Sequence, residues 1–173
     1  IDIHDAARDT AERFLEENNA RGLETVLIGD YIRMVDLHQA DFKRFLHILA
    51  WSDNLPVVYH CAAGKDRTGM ATVFLLTALG VELDVIWKDY MATNLYSKAY
   101  AENIIRKVTE SGQNGEILRP LLEVRTEYLQ AAIDIIDQKY NGLTNYVREV
   151  LHADFKLLQN KYLHWPQRPR WNY

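Results

Sequence analysis

The sequence predicts an α/β fold: a central parallel or mixed sheet flanked by helices, with this chain supplying mostly the helical C-terminal part and one strand–loop–helix unit. Three observations carry that expectation. Val57-Val58-Tyr59-His60 is short, β-branched and apolar, as a strand covered on both faces should be. It runs straight into a loop of small residues that opens a helix. Nearly everything after it shows helical spacing, so one strand without visible neighbours implies further strands upstream of Ile1, or a chain that is a fragment; the alternative is a well-packed all-helical body with one stray strand.

The elements follow in order. Over 5–17, Ala7, Ala11, Phe14 and Leu15 recur at helical spacing, with Asp5 placed to cap. Residues 23–35 read as a helix interrupted by Gly29. Asp41 is expected to cap a helix that carries Phe42, Phe45, Leu46 and Leu49 on one face. Ser52-Asp53-Asn54-Leu55-Pro56 reads as a turn before the strand. A helix over 67–79 ends at Gly80, and two more are expected over 84–94 and 97–110, before a turn at 112–115. Thr126 opens a helix with Leu129, Ala132, Ile133 and Ile136 on one face, ending before Asn141-Gly142. Two short helices, over 144–151 and 154–163, precede a proline-broken tail.

One domain over 1–173 is therefore expected. It divides into a helical segment over 1–50, of which 6–36 is a possible active-site lid, a catalytic loop and helical region over 55–164, and a tail over 165–173.

Composition narrows the function. Hydrophobic residues make up 48% and charged residues 25%, the balance of a globular chain. With 20 Lys and Arg against 24 Asp and Glu, the net charge is −4, which argues against a nucleic-acid partner. No apolar run approaches the ~18 residues of a membrane span. Ile1 begins no signal-peptide pattern, and both a cytoplasmic and an exported protein fit. One cysteine excludes an intrachain disulfide, and the six histidines lack the paired spacing of a metal site, so no cofactor or metal is expected.

The lone cysteine sits in His60-Cys61-Ala62-Ala63-Gly64-Lys65-Asp66-Arg67-Thr68-Gly69. A tight loop opening a helix turns successive backbone N–H groups toward one point at the positive end of the helix dipole. Ala62 through Thr68 are the expected donors, and Ala62, Ala63 and Gly64 keep side chains out of the concavity. Cys61 at its floor should have a depressed pKa and act as a nucleophile toward phosphorus. Arg67 can hold two phosphoryl oxygens with its planar fork. Thr68 can donate to the sulfur and make it a better leaving group. Asp66 offers a carboxyl group in the loop as general acid and base, and Lys65 a second cation at the rim, suited to substrates with more than one phosphate. His60 is expected to order the loop through backbone hydrogen bonds, and Gly69 to let the helix start close to it. Six such fixed positions should coincide by chance on the order of a few times in a million chains.

At these residues the sequence resembles the atypical tyrosine and phosphoinositide phosphatases of bacteria and fungi, whose loop reads His-Cys-x-Ala-Gly-Lys-Asp-Arg-Thr-Gly. The likeness extends to Asp84-Val85-Ile86-Trp87-Lys88-Asp89-Tyr90-Met91-Ala92-Thr93-Asn94, to Arg125-Thr126-Glu127-Tyr128-Leu129, and to Tyr140-Asn141-Gly142-Leu143. It implies Cys61 as nucleophile, Arg67 as phosphate clamp, Asp66 as acid and base, and Lys65 as the residue that widens substrate choice. The implied reaction is hydrolysis of phosphotyrosine, and of phosphoserine, phosphothreonine or phosphoinositides, through a phosphocysteine without metal or organic cofactor. The family's Asn-Phe-Arg-Asp-Leu-Gly-Gly-like region and later Asp-Leu-Arg strand are missing here.

Two other classes compete: a catalytically silent module of the same fold that binds phosphorylated ligands, and sulfur transfer or arsenate reduction, which the lack of a second cysteine disfavours. Asp53 is a weaker candidate for the acid. Trp87, Tyr90 and Met91 are expected to pack the core rather than line the pocket.

Overall fold

The structure is a computed structural model and describes residues 5–53 and 56–163; the side chains of residues 5–9 and 11 lie outside that description. It is a helical body. The order is α1 (Asp5–Glu16), α2 (Ala20–Leu37), α3 (Gln39–Trp51), α4 (Asp66–Leu79), α5 (Leu83–Glu110), a 3₁₀ turn (Gly115–Leu118), α6 (Arg119–Leu122), α7 (Thr126–Tyr140), α8 (Leu143–Asn145), a π turn (Tyr146–Val150) and α9 (Phe155–Tyr162).

The expected central sheet is absent: no strand occurs among the described residues. Residues 57–60 are irregular, because a strand exists only through pairing and no neighbouring segment offers a ladder. Nor are both faces covered. Val57 and Tyr59 pack against the core, whereas Val58 is 86% exposed.

Several boundaries also differ from expectation. Gly29 lies inside α2, whose Leu23, Leu27, Tyr31, Met34 and Val35 are buried; packing along α7 outweighs the helix cost of one glycine. Asp41 is in the first turn of α3 rather than at its cap, with Oδ2 3.2 Å from His38 Nδ1. The two helices expected over 84–110 are the single α5. The predicted cap at Asp5, residues 54 and 55 of the 52–56 turn and the whole 165–173 tail fall outside the described residues or side chains.

α4 is the central element. Met70, Ala71, Val73, Phe74, Thr77 and Ala78 are all buried, against α3, α5, α9 and the 143–150 segment. Thr77 hides its hydroxyl by donating to the Val73 carbonyl at 2.7 Å. Gly80 closes the helix with paired bonds, Gly80 N to Thr77 O and Val81 N to Leu76 O, both 3.0 Å. Phe74 stands edge-on to Phe42 at 5.0 Å and contacts Tyr146 at 5.5 Å. Phe74→Ala is expected to lower unfolding free energy by ~3–5 kcal/mol, because the aromatic void has no room to collapse; urea unfolding measures it.

Two side chains fasten neighbouring segments to this body. Tyr59 is fixed onto α4: its hydroxyl lies 2.8 Å from Thr72 Oγ1, which donates to the Thr68 carbonyl at 2.9 Å, and its ring meets Phe45 at 4.8 Å. Asn94 of α5 clamps the linker between α6 and α7, with Nδ2 donating to Val124 O and Oδ1 accepting from Val124 N, both 2.8 Å. No helix among the described residues is long and apolar enough to cross a membrane.

Candidate active site

The loop over 61–65 joins the anchored Tyr59 to the start of α4, and its geometry results from that connection. Gly64 has φ +65°, a left-handed turn that would strain a side chain. Lys65 then stands at the N-cap and Asp66 at the first turn of α4. Gly69 Cα faces the Tyr90 ring so closely that a Cβ would lie 3.3 Å from two ring carbons, so the missing side chain brings α4 and α5 together under the loop.

The Cys61 sulfur is where the loop converges. Partial burial alone would push its thiol up. The Thr68 side chain and the backbone N–H groups of Thr68, Lys65 and Gly64 act the other way and outweigh it, lowering the thiol to about 7. Thr68 Oγ1 is buried and makes no hydrogen bond with the described residues, so its proton is uncommitted and available to a thiolate at Cys61. Alkylation of Cys61 by iodoacetamide should therefore accelerate as pH rises, with a midpoint near 7, because only the thiolate reacts. Thr68→Val is expected to move that midpoint upward, which a rate–pH series reads directly.

Two clefts share Cys61 and Arg67 in their walls. One, about 160 Å³, is walled by Phe42, Phe45, Tyr59, His60, Thr68 and Ala71. The other, about 180 Å³, lies beneath α2 and is walled by Leu27, Asp30, Met34, Ala62, Ala63 and Asp66. Only the second holds a carboxylate of the loop.

The remaining predicted residues fall as follows. Ala62, Ala63 and Gly64 are exposed and leave the loop's outer face open. His60 is also exposed, with Nδ1 3.1 Å from the Cys61 carbonyl oxygen. Lys65 is beneath the loop instead of at its rim: it is 3% exposed, and Nζ donates to Asp66 Oδ1 at 2.6 Å and to Glu123 O at 3.2 Å. Spacing alone hid this, because the Glu123 carbonyl arrives from a linker 58 residues away. Asp53 is exposed and lines neither cleft, and neither do Trp87, Tyr90 and Met91.

Two contributors carry no mark in the sequence that reveals their role. Tyr31 of α2 donates its hydroxyl to Asp66 Oδ1 at 3.0 Å, across 35 residues, and no local pattern announces such a contact. Asn94 holds the Val124 backbone beside the carbonyls of Glu123 and Arg125 that face Lys65 and Tyr90. Its place at the end of the Asp84–Asn94 motif is the one hint. Among the described residues no three His, Cys, Asp or Glu side chains gather as a metal site.

The profile of the tyrosine phosphatase family matches residues 2–164. A candidate tyrosine-protein phosphatase of Cupriavidus necator is 37% identical over 107 residues, 62% of this chain and 39% of that protein. The triple specificity protein phosphatase PtpB of Mycobacterium tuberculosis is 35% identical over 105 residues, 54% of this chain and 38% of its own length. A tyrosine-protein phosphatase of Nostoc commune is 24% identical over 136 residues, 76% of this chain and 46% of that protein. The chain thus spans less than half the length of each of these relatives.

Proposed function

That the chain belongs to the tyrosine phosphatase family is the premise from which we infer its function: hydrolysis of phosphate monoesters, phosphotyrosine first, through a phosphocysteine on Cys61. The observation that carries this reading is Cys61 beside the N-terminus of α4 with Arg67 in the walls of both its clefts, where the Thr68, Lys65 and Gly64 amides and the nearby Thr68 hydroxyl lower its thiol to about 7.

In the first step the Cys61 thiolate attacks phosphorus in line, an S–P bond forms, and the P–O bond to the leaving group breaks. The oxygen leaves with a proton from the Asp66 carboxyl group. Arg67 holds equatorial phosphoryl oxygens with its fork, beside amides already oriented by the loop, so little reorganisation is needed as charge shifts. In the second step water attacks phosphorus, Asp66 takes its proton, the S–P bond breaks, and inorganic phosphate departs. Thr68 eases that step by donating to the returning thiolate. The cleft beneath α2 suits the leaving group, with Leu27 and Met34 as apolar walls for an aromatic ring and Asp66 at the reacting end.

We extend the substrate range to phosphoserine, phosphothreonine and phosphoinositides, in keeping with the triple specificity by which one relative is named. The open outer face of Ala62, Ala63 and Gly64 supports this breadth more directly than the buried Lys65 does. Phosphate release from a panel of phosphotyrosine, phosphoserine and phosphothreonine peptides and phosphoinositides tests the reading. Release from phosphotyrosine is expected; binding of the peptides with no release from any would replace it with a phospho-ligand-binding module.

A further inference from the structure

Asp66 sits at the end of a chain of hydrogen bonds whose direction is fixed by proton counting. Its Oδ1 receives Lys65 Nζ at 2.6 Å and the Tyr31 hydroxyl at 3.0 Å. Tyr31 has one hydroxyl proton, committed to Oδ1, so at the 2.9 Å contact with the Tyr90 hydroxyl it can only accept. Tyr90 then donates to Tyr31, its other acceptor being the Arg125 carbonyl at the longer 3.4 Å. The chain runs Tyr90 to Tyr31 to Asp66. Both phenols stay protonated, since burial, and for Tyr31 the nearby Asp66 charge, raise them well above the ordinary tyrosine value.

The elements that deliver these groups are held rigidly. Tyr31 is fully buried on α2, with its ring 6.3 Å from that of Tyr90 and 5.7 Å from that of Tyr128. Tyr90 is pressed against Gly69, and Lys65 is tied to the Asn94-clamped linker through Glu123 O. Asp66 itself remains 26% exposed at its side chain and lines the cleft beneath α2 with Cys61. Its Oδ2 makes no hydrogen bond with the described residues.

We propose that Tyr31, backed by Tyr90 and acting with Lys65, is a positioning residue that confines proton transfer to Oδ2 of Asp66. This rests on the reading of Asp66 as general acid and base. With two donors on Oδ1, that oxygen is an acceptor whether the carboxyl group is neutral or ionised. The exchangeable proton is therefore always on Oδ2, and the group does not need to rotate between giving its proton to the leaving oxygen and taking one from water. Lys65 then serves the acid from below.

The test compares Tyr31→Phe with the wild-type protein on phenyl phosphate, a poor leaving group, and p-nitrophenyl phosphate, a good one. Loss of one donor to a carboxyl group should lower kcat on phenyl phosphate about ten-fold, with KM changed less than about two-fold and a several-fold smaller loss on p-nitrophenyl phosphate. In an Asp66→Asn background the same substitution should add little, because there is no acid left to position. Equal losses on both substrates, or a full additional loss in the Asp66→Asn background, would overturn the proposal and leave Tyr31 a packing residue. Should Tyr31→Phe fail to fold, Tyr90→Phe removes the donor behind Tyr31, and the same selective loss, of smaller size, is required of it. Wild-type turnover with a selective Asp66→Asn loss but an unaffected Tyr31→Phe sinks this inference alone. An Asp66→Asn variant that loses both substrates equally sinks the acid assignment and this inference with it.

Discussion

Cys61→Ser is expected to cut phosphate release by on the order of 10⁴-fold or more, to the background of the assay, while leaving phosphate-ester binding within a few-fold. The asymmetry follows from the loop. Its amides, Arg67 and Thr68 survive the substitution, so the anion site persists. The nucleophile does not: a thiol lowered to about 7 is substantially thiolate at neutral pH, whereas a serine hydroxyl in the same place stays protonated. In the first step Asp66 holds its proton for the leaving oxygen, so it is not the base that would ionise a serine. Phosphate release and calorimetric binding of a phosphotyrosine peptide, measured on the same preparation, check both halves. A serine variant that still turns over within ten-fold of wild type would remove the thiolate from the mechanism.

Asp66→Asn should produce the second largest effect, and one that depends on the leaving group. An amide keeps the shape but can neither give nor take the catalytic proton. For phenyl phosphate, whose phenoxide leaves poorly, kcat is expected to fall ~10²-fold or more; for p-nitrophenyl phosphate, which needs little protonation, by less than about ten-fold. The comparison is internal, so a general loss of folded protein cannot imitate it. Losses of equal size on the two esters would move the acid elsewhere.

The turn over 61–65 into α4 was legible because its pattern is local: small residues after the cysteine lead straight into a helix start, in a spacing written along the chain. Helices such as 126–140 were legible for the same reason, with the apolar face and the Asn141-Gly142 stop written in order along the chain. The strand was not, because β structure depends on a partner, and the β-branched run at 57–58 carries no information about whether one is beside it. The expectation of separate helices over 84–94 and 97–110 leaves out Leu95 and Tyr96, which continue α5 as exposed residues, at 72% and 85%. Asp41 matched a cap in type but lies inside the first turn, since the preceding backbone continues the helix to Gln39.

The site divides along the same line. That a loop of small residues leads from Cys61 into a helix could be read from spacing; what stands behind Asp66 could not. Tyr31, Tyr90 and the Glu123 carbonyl come from three separate elements and meet only because α2, α5 and the α6–α7 linker pack beneath α4. Lys65 illustrates the consequence. A lysine in an anion loop suggests a cation facing the ligand, yet the tertiary fold turns it inward to a carboxylate and a carbonyl.

A phosphoryl group resting on Cys61 is what separates this mechanism from direct attack by water. Thr68→Val, which removes the hydroxyl that eases departure of the thiolate, should slow the second step more than the first and let the phosphoenzyme accumulate. After mixing with p-nitrophenyl phosphate and rapid quenching in base, mass spectrometry of the peptide containing Cys61 is predicted to find phosphate on that residue, in an amount that rises and then decays with substrate. An active protein whose Cys61 peptide never carries phosphate would contradict the mechanism, because the phosphoryl group would then pass to water without visiting the sulfur.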